Sequence, residues 1–341
     1  MIIQPTETAS REGVEKIESL SNRIQGADSS CQSAVAEIIE AVKTRGDEAV
    51  VDYCRRFDAP EMRIASLQVS AEEMKKAYEE VDDAYIDTLN RAIDRIESFH
   101  QREMEDSWIL TREDGTIVGR LVRPVDSAGL YVPGGKGGNT PLVSSVLMNG
   151  IPAGIAGVGR RIMVTPPNGE GGIDPHLLVA AQQIGITEIY KIGSAWAIAA
   201  LAYGTATVPR VDVIVGPGNQ YVTEAKRLVS GMVRIDMIAG PSEVLIVADD
   251  QADPSLIAAD MLAQAEHDPQ ALAVLVTTSE RLAAAVPEEL ERQLPELSRE
   301  EIARTALEKH GVILVAGDLE QAVELANAIA IEHLELMIVD P

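Results

Sequence analysis

The first hundred residues of the chain carry apolar side chains at helical spacing. In SAVAEIIEAVKTRGDEAVVDYCRRF, residues 33–57, apolar positions recur three and four apart, with an interruption near Gly46. A second stretch, residues 70–100, begins with a capping box from Ser70 to Glu73 and continues as a long amphipathic pattern. The pattern predicts an N-terminal region built from helices.

The period of the pattern changes after residue 107. WILTREDGTIVGRLVRPV alternates apolar and polar positions around Asp114 and Gly115, which predicts a β-hairpin. From Ala128 onward, short apolar runs alternate with helical stretches. The runs read AGLYV, RIMVTPP, EIYKIG and VDVIVGPG, and a second series reads EVLIVAD, ALAVLVTT, GVILVAG and LELMIVD. Strands that alternate with helices of this length predict parallel sheets covered on both faces.

The fold class that follows is α/β, with two Rossmann-like lobes, parallel sheets and a helical N-terminal region. The stretch GMVRIDMIAGPSE is the expected crossing between lobes. We predict an N-terminal helical arm over 1–25 and a discontinuous first lobe formed by 26–127 with 242–341. The second Rossmann-like lobe is predicted over 128–241 and carries the Gly-rich loops.

Composition narrows the class of function. The formal charge of −25 would repel phosphate backbones, which argues against a nucleic-acid partner. Cys31 and Cys54 are the only cysteines, both in helical segments, and we expect them to be buried and not catalytic. No apolar run has membrane-spanning length with clean flanks and no signal peptide precedes the fold, so a cytoplasmic protein without a membrane partner is expected.

Three loops have a composition typical of ligand sites. In open α/β sheets, ligands bind beyond the carboxyl ends of strands. YVPGGKGGNTP carries glycines at 134, 135, 137 and 138 but fits neither G-x-G-x-x-G nor a phosphate loop. VGPGNQ places Asn219 near a helix start, where a capping turn is the simpler interpretation. IAGPSE places Ser242 before the strand EVLIV.

Histidine is scarce enough for each residue to be considered. His100, His176 and His310 fall at helix ends and have good structural interpretations. His267 follows Gln264 by three positions at the end of an apolar helix, so the two share a face. Half of a metal site is the alternative, but on spacing alone a helix end is the simpler interpretation, because catalytic zinc takes at least three protein ligands. His333 follows Glu332 at a strand entrance, where neighbouring side chains normally point to opposite faces.

Taken together and in order, the longer motifs resemble the histidinol dehydrogenase family. They are YVPGG, SSVLMNGIPA, AIAALAYGT, VDVIVGPGNQYVTEAKR, IDMIAGPSEVLI, AQAEHDP and IEHLELM. The resemblance runs from the N-terminal helices to the last residue. It implies a zinc- and NAD-dependent oxidoreductase of histidine biosynthesis that converts L-histidinol to histidinal and then to L-histidine, using two NAD molecules in turn.

The resemblance also implies roles for individual residues. Gln264 and His267 would be zinc ligands that also contact the substrate, and Ser242 would be a further substrate contact. His333 would be the general base of the first oxidation and would contact substrate, and Glu332 would activate water for the second. A water activated in this way needs no cysteine nucleophile. Tyr131, Trp196 and Asn219 occupy positions that contact NAD.

Two departures from the family pattern qualify this prediction. Trp196 stands where the family has a Gln, and an indole offers one donor and no acceptor, so it would stack on the cofactor or reflect a subgroup variation. The family supplies an Asp and a His as further zinc ligands, a substrate-binding Glu and a C-terminal domain from beyond Pro341. We therefore expect this chain to bind zinc poorly, to be nearly inactive, and to form the family homodimer weakly or not at all.

Two alternatives stay open. In the first, the chain is a paralogous zinc- and NAD-dependent dehydrogenase that acts on another small hydroxy compound, which a substrate panel would reveal. It would otherwise be a truncated, non-catalytic protein that binds zinc or imidazoles, which predicts binding without turnover.

Overall fold

The computed structural model describes residues 2–23, 29–134, 141–238 and 240–341. The helices, in chain order, are α1 (Arg11–Ser21), α2 (Ser29–Arg45), α3 (Asp47–Phe57), α4 (Ala71–Glu80), α5 (Asp83–His100), α6 (Val143–Ile155), α7 (Pro175–Gln183), α8 (Ser194–Tyr203), α9 (Gln220–Val229), α10 (Pro254–Ala265), α11 (Glu280–Gln293), α12 (Glu300–His310) and α13 (Leu319–Ile329). The strands are β1 (Pro5–Glu7), β2 (Trp108–Thr111), β3 (Ile117–Arg120), β4 (Ser127–Tyr131), β5 (Arg160–Thr165), β6 (Glu188–Lys191), β7 (Val213–Val215), β8 (Arg234–Ile235), β9 (Glu243–Ala248), β10 (Leu272–Thr277), β11 (Gly311–Val315) and β12 (His333–Met337). Across the described residues, no helix is both long and apolar enough to cross a membrane.

Residues 27–239, called unit 2 below, form one compact unit. Its parallel sheet has the order β6-β5-β4-β7-β8, which is the 3-2-1-4-5 order of a Rossmann fold. Because side chains alternate along a strand, Ile162 and Val164 of β5 enter the core with α2, α3, α8 and α9, while Met163 enters the core with α4 to α7. Both faces of the sheet are therefore covered, as the sequence predicts.

Residues 1–26 and 240–341 form the other compact unit, called unit 1 below. Its parallel sheet has the order β1-β11-β10-β9-β12, in which β9, β10 and β11 are joined by helices and β12 is added beside β9. Helices α10, α11 and α12 bury their apolar side chains on one face, and α1 and α13 bury theirs on the other. Unit 1 is thus a second Rossmann-like sheet with an extra edge strand.

The boundary between the units falls at residues 239 and 240, inside the stretch predicted as the crossing. The predicted pairing of 26–127 with 242–341 is wrong, because the helices of 27–127 belong to unit 2. Val35, Val50 and Cys54 of these helices share one apolar core with residues of α8. The predicted separate arm over 1–25 is also wrong, since β1 adds to the edge of the unit 1 sheet beside β11.

Two local predictions have different outcomes. The hairpin around Gly115 is confirmed, with β2 and β3 antiparallel and a φ of 82° at this glycine. The capping box of Ser70 and Glu73 is also present, but the helix that it starts ends at Glu80. The chain is extended at Val81, and Asp82 then caps α5 by accepting the backbone N–H of Tyr85 at 2.7 Å. The amphipathic pattern over 70–100 therefore belongs to two helices.

Candidate functional site

Unit 1 contains a pocket of about 510 Å³ that brings together four of the residues singled out by the sequence. They are Gln264, His267, Glu332 and His333. The described residues that complete the lining are Val244, Asp260, Ala263, Leu334 and Glu335. Two segments far apart in the sequence thus contribute to one cavity.

The periodicity of two elements explains how these side chains meet. Asp260, Gln264 and His267 are spaced by four and three residues on α10 and the turn after it, so they share one helix face. His333 and Glu335 are two apart on β12, so they share one strand face. The pocket lies where the helix face meets the strand face.

The pocket lies at the amino ends of the unit 1 strands. His333 is the first residue of β12 and pairs with Val244, the second residue of β9. Helix α10 runs back from the carboxyl end of β9, so its last turn, with Gln264, returns to the amino ends. The expectation that ligand sites lie at the carboxyl ends of strands is therefore wrong for this pocket.

Ser242 is half-buried and is not among the described residues that line the pocket. It precedes β9 by one residue, and its carbonyl accepts the backbone N–H of Leu272 at 3.1 Å. Its place at the amino end of β9 is two residues from Val244. Ser242 is thus close in the chain to the pocket, and its contact with substrate stays a prediction.

The candidate bases are open to solvent. His333 Nε2 and Glu332 Oε1 are 3.8 Å apart, and their side chains are 60% and 56% exposed. Glu335 lies deeper, where burial and the nearby carboxylate of Asp260 raise its pKa while His333 acts in the opposite direction. Burial thus favours the protonated form of the Glu335 carboxyl on one wall of the pocket, and the open side carries the imidazole of His333 and the carboxylate of Glu332.

The donors for zinc are of the right chemical type but few. Gln264 offers an amide oxygen and His267 an imidazole nitrogen, and the amide nitrogen of Gln264 is buried without a hydrogen-bond partner among the described residues. A buried amide N–H without a protein partner fits a hydrogen bond to substrate, and the amide oxygen is the atom that could bind a metal. Within those same residues, no group of three or more His, Cys, Asp or Glu side chains is arranged to hold a metal ion. Gln264 and His267 alone leave a zinc ion short of a catalytic ligand set.

The predicted cofactor residues lie in unit 2, and two of them lie at the carboxyl edge of its sheet. Tyr131 ends β4 and Asn219 follows β7, and these two strands are neighbours at the point where the strand order reverses. Asn219 caps α9, accepting the backbone N–H groups of Tyr221 at 3.0 Å and Val222 at 3.2 Å. The Gly-rich loop begins after β4 at the same edge, and Gly135, Gly137 and Gly138 lie outside the described residues.

The backbone of the turn between β7 and α9 packs closely against the backbone carbonyl of Tyr131. Gly216 has a φ of 121°, and a Cβ there would lie 2.1 Å from the carbonyl oxygen of Tyr131. Its N–H donates to Asp236 Oδ2 at 2.8 Å, and its carbonyl accepts from Lys226 Nζ at 3.0 Å. Lys226 is only 3% exposed and forms an ion pair with Asp236. This ion pair, in which the lysine is buried and Asp236 is partly exposed, holds the backbone at the edge of the candidate cofactor site.

Tyr131 itself is buried, and its hydroxyl accepts the backbone N–H of Ser194 at 3.1 Å. Burial raises the pKa of Tyr131 to about 12. Burial also raises the pKa of the nearby Asp58 to about 7, and Asp58 Oδ2 is buried without a partner among the described side chains. The buried residues near Tyr131 therefore include a carboxyl, that of Asp58, which is protonated over part of the neutral pH range.

Trp196 lies in the protein core. It is 4% exposed, and its ring faces those of Tyr53 and Phe57 with centroids 5.6 and 5.7 Å away. Its predicted contact with NAD therefore rests on the resemblance alone. Cys31 and Cys54 are both buried, as the sequence predicts, and burial raises the pKa of Cys54 to about 12. Such a thiol stays protonated and is a poor nucleophile.

Four residues near the candidate sites were missed by the sequence analysis. Asp260 and Glu335 had a usable signal, because each shares a periodic face with a residue already singled out. Lys226 and Asp58 had none, since a charged residue on an amphipathic helix or at its end is normally solvated. Only the folded structure shows that these two side chains are buried.

Comparison with known proteins places this geometry in a family. The family model described as histidinol dehydrogenase matches residues 21–341. A histidinol dehydrogenase of Desulfotalea psychrophila is 72% identical over 341 residues, which cover 100% of this chain and 79% of the relative. One of Oleidesulfovibrio alaskensis is 52% identical over 316 residues, covering 93% of this chain and 73% of the relative.

A solved structure agrees with these matches. The crystal structure of histidinol dehydrogenase from Elizabethkingia anophelis superposes with a TM-score of 0.87 at 37% identity, covering 99% of this chain and 76% of that one. The sequence matches and the shared fold lead to one assignment: the chain belongs to the histidinol dehydrogenase family, and it is an oxidoreductase of histidine biosynthesis.

Proposed function

We propose that the protein oxidises L-histidinol to L-histidine through histidinal, with NAD as hydride acceptor and zinc as metal cofactor. The observation that carries this proposal is the pocket of unit 1, which places an amide, two imidazoles and three carboxylates around about 510 Å³. A substrate with an imidazole, an amine and a hydroxyl finds partners of matching chemistry there. The family membership supplies the substrate.

In the first oxidation, His333 accepts the hydroxyl proton of histidinol while the carbon loses hydride to NAD. The exposed imidazole suits this role because neutral histidine accepts protons near physiological pH. The aldehyde then adds water, and Glu332 takes the proton of that water. The hydrated aldehyde loses a second hydride to a second NAD, which leaves the carboxylate of histidine.

Gln264 and His267 would hold the zinc ion from the helix side of the pocket. When bound, zinc would supply positive charge that orients the donor nitrogens of the substrate. Two donors are fewer than a catalytic zinc ion takes, so the assays described below contain excess zinc. Ser242 would contact substrate beside these ligands.

NAD would bind at the carboxyl edge of unit 2, with Tyr131 and Asn219 as contacts. The switch point between β4 and β7 is where dinucleotides bind in sheets of this order. Trp196 would support this edge from the core. The homodimer that the resemblance implies stays a prediction, and sedimentation would test it.

The test counts the NADH formed per histidinol by wild type and by Glu332→Gln with excess zinc. Wild type should form two NADH per histidinol, and Glu332→Gln should form one and release an aldehyde that semicarbazide traps. Glu324→Gln, a change on α13 outside the pocket lining, is the matched control and should again form two. Two NADH from Glu332→Gln would remove Glu332 from its proposed role, and no NADH from wild type would reject the function.

The paralogue reading is favoured by one observation, the burial of Trp196 where the resemblance implies a polar cofactor contact. Turnover of another small hydroxy compound at a higher kcat/KM than histidinol would support it.

A further inference from the structure

Arg23 lies just after α1 and uses its guanidinium fully. Nε and Nη2 donate to the two carboxylate oxygens of Glu243, each at 2.6 Å. Nη1 donates to the carbonyls of Leu20 and Ile329, each at 2.7 Å, and Nη2 also donates to the carbonyl of Ala330 at 3.3 Å. These five hydrogen bonds match the five N–H donors of an arginine.

The five acceptors come from three separate segments of unit 1. Leu20 is in the last turn of α1, Glu243 is the first residue of β9, and Ile329 and Ala330 end α13. Ala330 has a φ of 50°, a left-handed conformation that is unfavourable for a residue with a Cβ. Arg23 therefore bonds directly to a strained turn and ties it to the start of a central strand.

The turn that Arg23 holds leads into the candidate catalytic pair. Only Ile331 separates Ala330 from Glu332, and His333 then pairs with Val244, the residue after Glu243. These hydrogen bonds, called the Arg23 clamp below, are thus placed at the amino end of β9 and just before β12, the strands that supply Val244 and His333 to the pocket lining. A small rotation of the turn would change the directions in which the two bases point.

The Arg23–Glu243 pair is largely shielded from water, which makes its geometry specific. The two side chains are 15% and 19% exposed. The hydrogen bond with Glu243 raises the pKa of Arg23, so the guanidinium stays charged. A lysine would keep the charge but could not form a planar two-bond fork and reach three carbonyls.

We propose that Arg23 is a positioning residue of the active pocket, which fixes the Ala330 turn and thereby orients Glu332 and His333. This inference rests on the proposed function for its catalytic consequence. The competing explanation is that Arg23 only fastens α1 to the sheet. The two differ in a measurable way, because fastening α1 affects overall stability and not the turnover of folded enzyme.

The experiment compares wild type, Arg23→Lys and Arg160→Lys, each as the full chain with excess zinc. Arg160 is the matched control, because it forms a similar two-bond fork with Glu188, at 2.9 and 2.7 Å, in the other unit. Amide hydrogen exchange is followed for 330–334 and for the buried strand Leu272–Thr277. Steady-state kinetics give kcat and both KM values, normalised to folded protein.

For Arg23→Lys we expect exchange over 330–334 to accelerate about tenfold while exchange of Leu272–Thr277 is unchanged. We expect kcat to fall by about 10- to 100-fold, because small misplacement of reacting groups costs this much. The KM for NAD should change less than about twofold, since the Arg23 clamp affects groups that act on the bound substrate. Arg160→Lys should change none of these quantities.

Three results would overturn the proposal. One is unchanged exchange over 330–334 in Arg23→Lys, whatever happens to kcat. Another is an increase in exchange shared equally by Leu272–Thr277, with kcat per folded molecule unchanged, which would make Arg23 a stability residue only. The third is faster exchange confined to 330–334 with kcat unchanged. If wild type forms no NADH from histidinol, the proposed function fails, and exchange alone then decides whether Arg23 holds the turn.

Discussion

The two units share the order of four strands, β11-β10-β9-β12 in unit 1 and β6-β5-β4-β7 in unit 2, but carry their candidate chemistry at opposite ends of their sheets. In unit 2, Tyr131 and Asn219 lie at the carboxyl ends of β4 and β7, where the strand order reverses. In unit 1, the equivalent reversal lies between β9 and β12, yet the pocket opens at the amino ends of these strands. Topology therefore defines where a crevice can form, and side chains decide which end is used.

The difference has a local cause in unit 1. At the carboxyl end of β9, Asp249 accepts the backbone N–H groups of Val339 and Gln251 at 2.8 and 2.9 Å. The backbone N–H of Asp249 also donates to the carbonyl of Met337 at 3.3 Å. These bonds join the exits of β9 and β12, so the polar groups at that end satisfy one another. The amino end keeps the exposed imidazole and carboxylate of the proposed bases.

The largest effect is expected at His333, which tests whether the catalytic base belongs to unit 1. We expect His333→Asn to lower kcat for histidinol by about 10²- to 10⁴-fold, the usual contribution of a general base. The KM for NAD should stay close to the wild-type value, because the proposed NAD contacts belong to unit 2. Zinc content should also be unchanged, since His333 is not a proposed ligand. His176→Asn, a half-exposed histidine of unit 2, is the control.

A variant that loses zinc together with activity would show that His333 holds the metal. A variant that keeps kcat within about tenfold of wild type would remove His333 from the role of general base. Either result would break the comparison between the two units at its catalytic side.

The cofactor side is tested at Gly216. An alanine Cβ would overlap the carbonyl of Tyr131, and the φ of 121° is strained for any residue with a side chain. We expect Gly216→Ala to lower the free energy of unfolding by about 2–3 kcal/mol or more and to weaken NAD binding. Urea unfolding and calorimetric titration with NAD measure the two effects.

Gly231→Ala is the matched control, because a Cβ at Gly231 meets no atom within 4 Å. Normal NAD affinity in folded Gly216→Ala would place the cofactor site somewhere other than the β4–β7 edge.

The sequence predicts the strand elements better than their grouping. Short apolar runs between helical stretches locate β4 to β7 and β9 to β12 but not β8, and GMVRIDMIAGPSE contains one of the two unit boundaries. The amphipathic stretch 33–57 shows that a helix has an apolar face but not which sheet that face covers. For this reason the sequence assigned α2 and α3 to the wrong unit. Similarly, a capping Asp82 inside a continuous apolar pattern hid the break between α4 and α5.

The candidate pocket was likewise predicted only in part from the sequence. Spacing puts Gln264 and His267 on one face, and the structure places both in the pocket with Glu332 and His333. The sequence could not show that this pocket lies at the amino ends of strands, because that depends on α10 returning along β9. The burial of Asp58 and Lys226 was equally hidden, since it depends on residues distant in the chain.

A smaller effect is expected at Asp58 of unit 2. Burial raises its pKa from 3.8 to about 7, so the folded protein binds this proton more tightly than the unfolded chain does. Below about pH 4 the carboxyl is protonated in both states, so its burial carries no ionisation cost. As pH rises from about 4 to about 7, stability is lost progressively, because the unfolded chain ionises this carboxyl more readily than the folded protein does. We expect Asp58→Asn to be about 1–3 kcal/mol more stable than wild type at pH 8, relative to their difference at pH 4.

Urea unfolding of both proteins at the two pH values measures this. Asp52→Asn is the control, because Asp52 is on the same helix but is exposed and pairs with Arg45. A stability difference that does not vary with pH would mean that folding leaves the pKa of Asp58 unchanged.

The smallest effect separates two roles of Asn219. As the cap of α9 it accepts two backbone N–H groups, and Asn219→Ala should cost about 1 kcal/mol of stability. Asn219→Asp keeps an equally good cap, and its charge also favours the helix N-terminus, so stability should be retained. The same aspartate would weaken NAD binding, because the pyrophosphate of NAD would be repelled by a carboxylate at this edge. Asn219→Asp therefore separates the effect on NAD binding from the effect on stability.

If Asn219 contacts NAD as proposed, both variants should raise the KM for NAD, while only Asn219→Ala should unfold at lower urea. If Asn219 is a cap alone, Asn219→Asp should bind NAD as wild type does. That second outcome would leave Tyr131 and the Gly216 turn as the cofactor contacts of unit 2. The contrast with unit 1 would then depend on backbone at the carboxyl edge and on side chains at the amino edge.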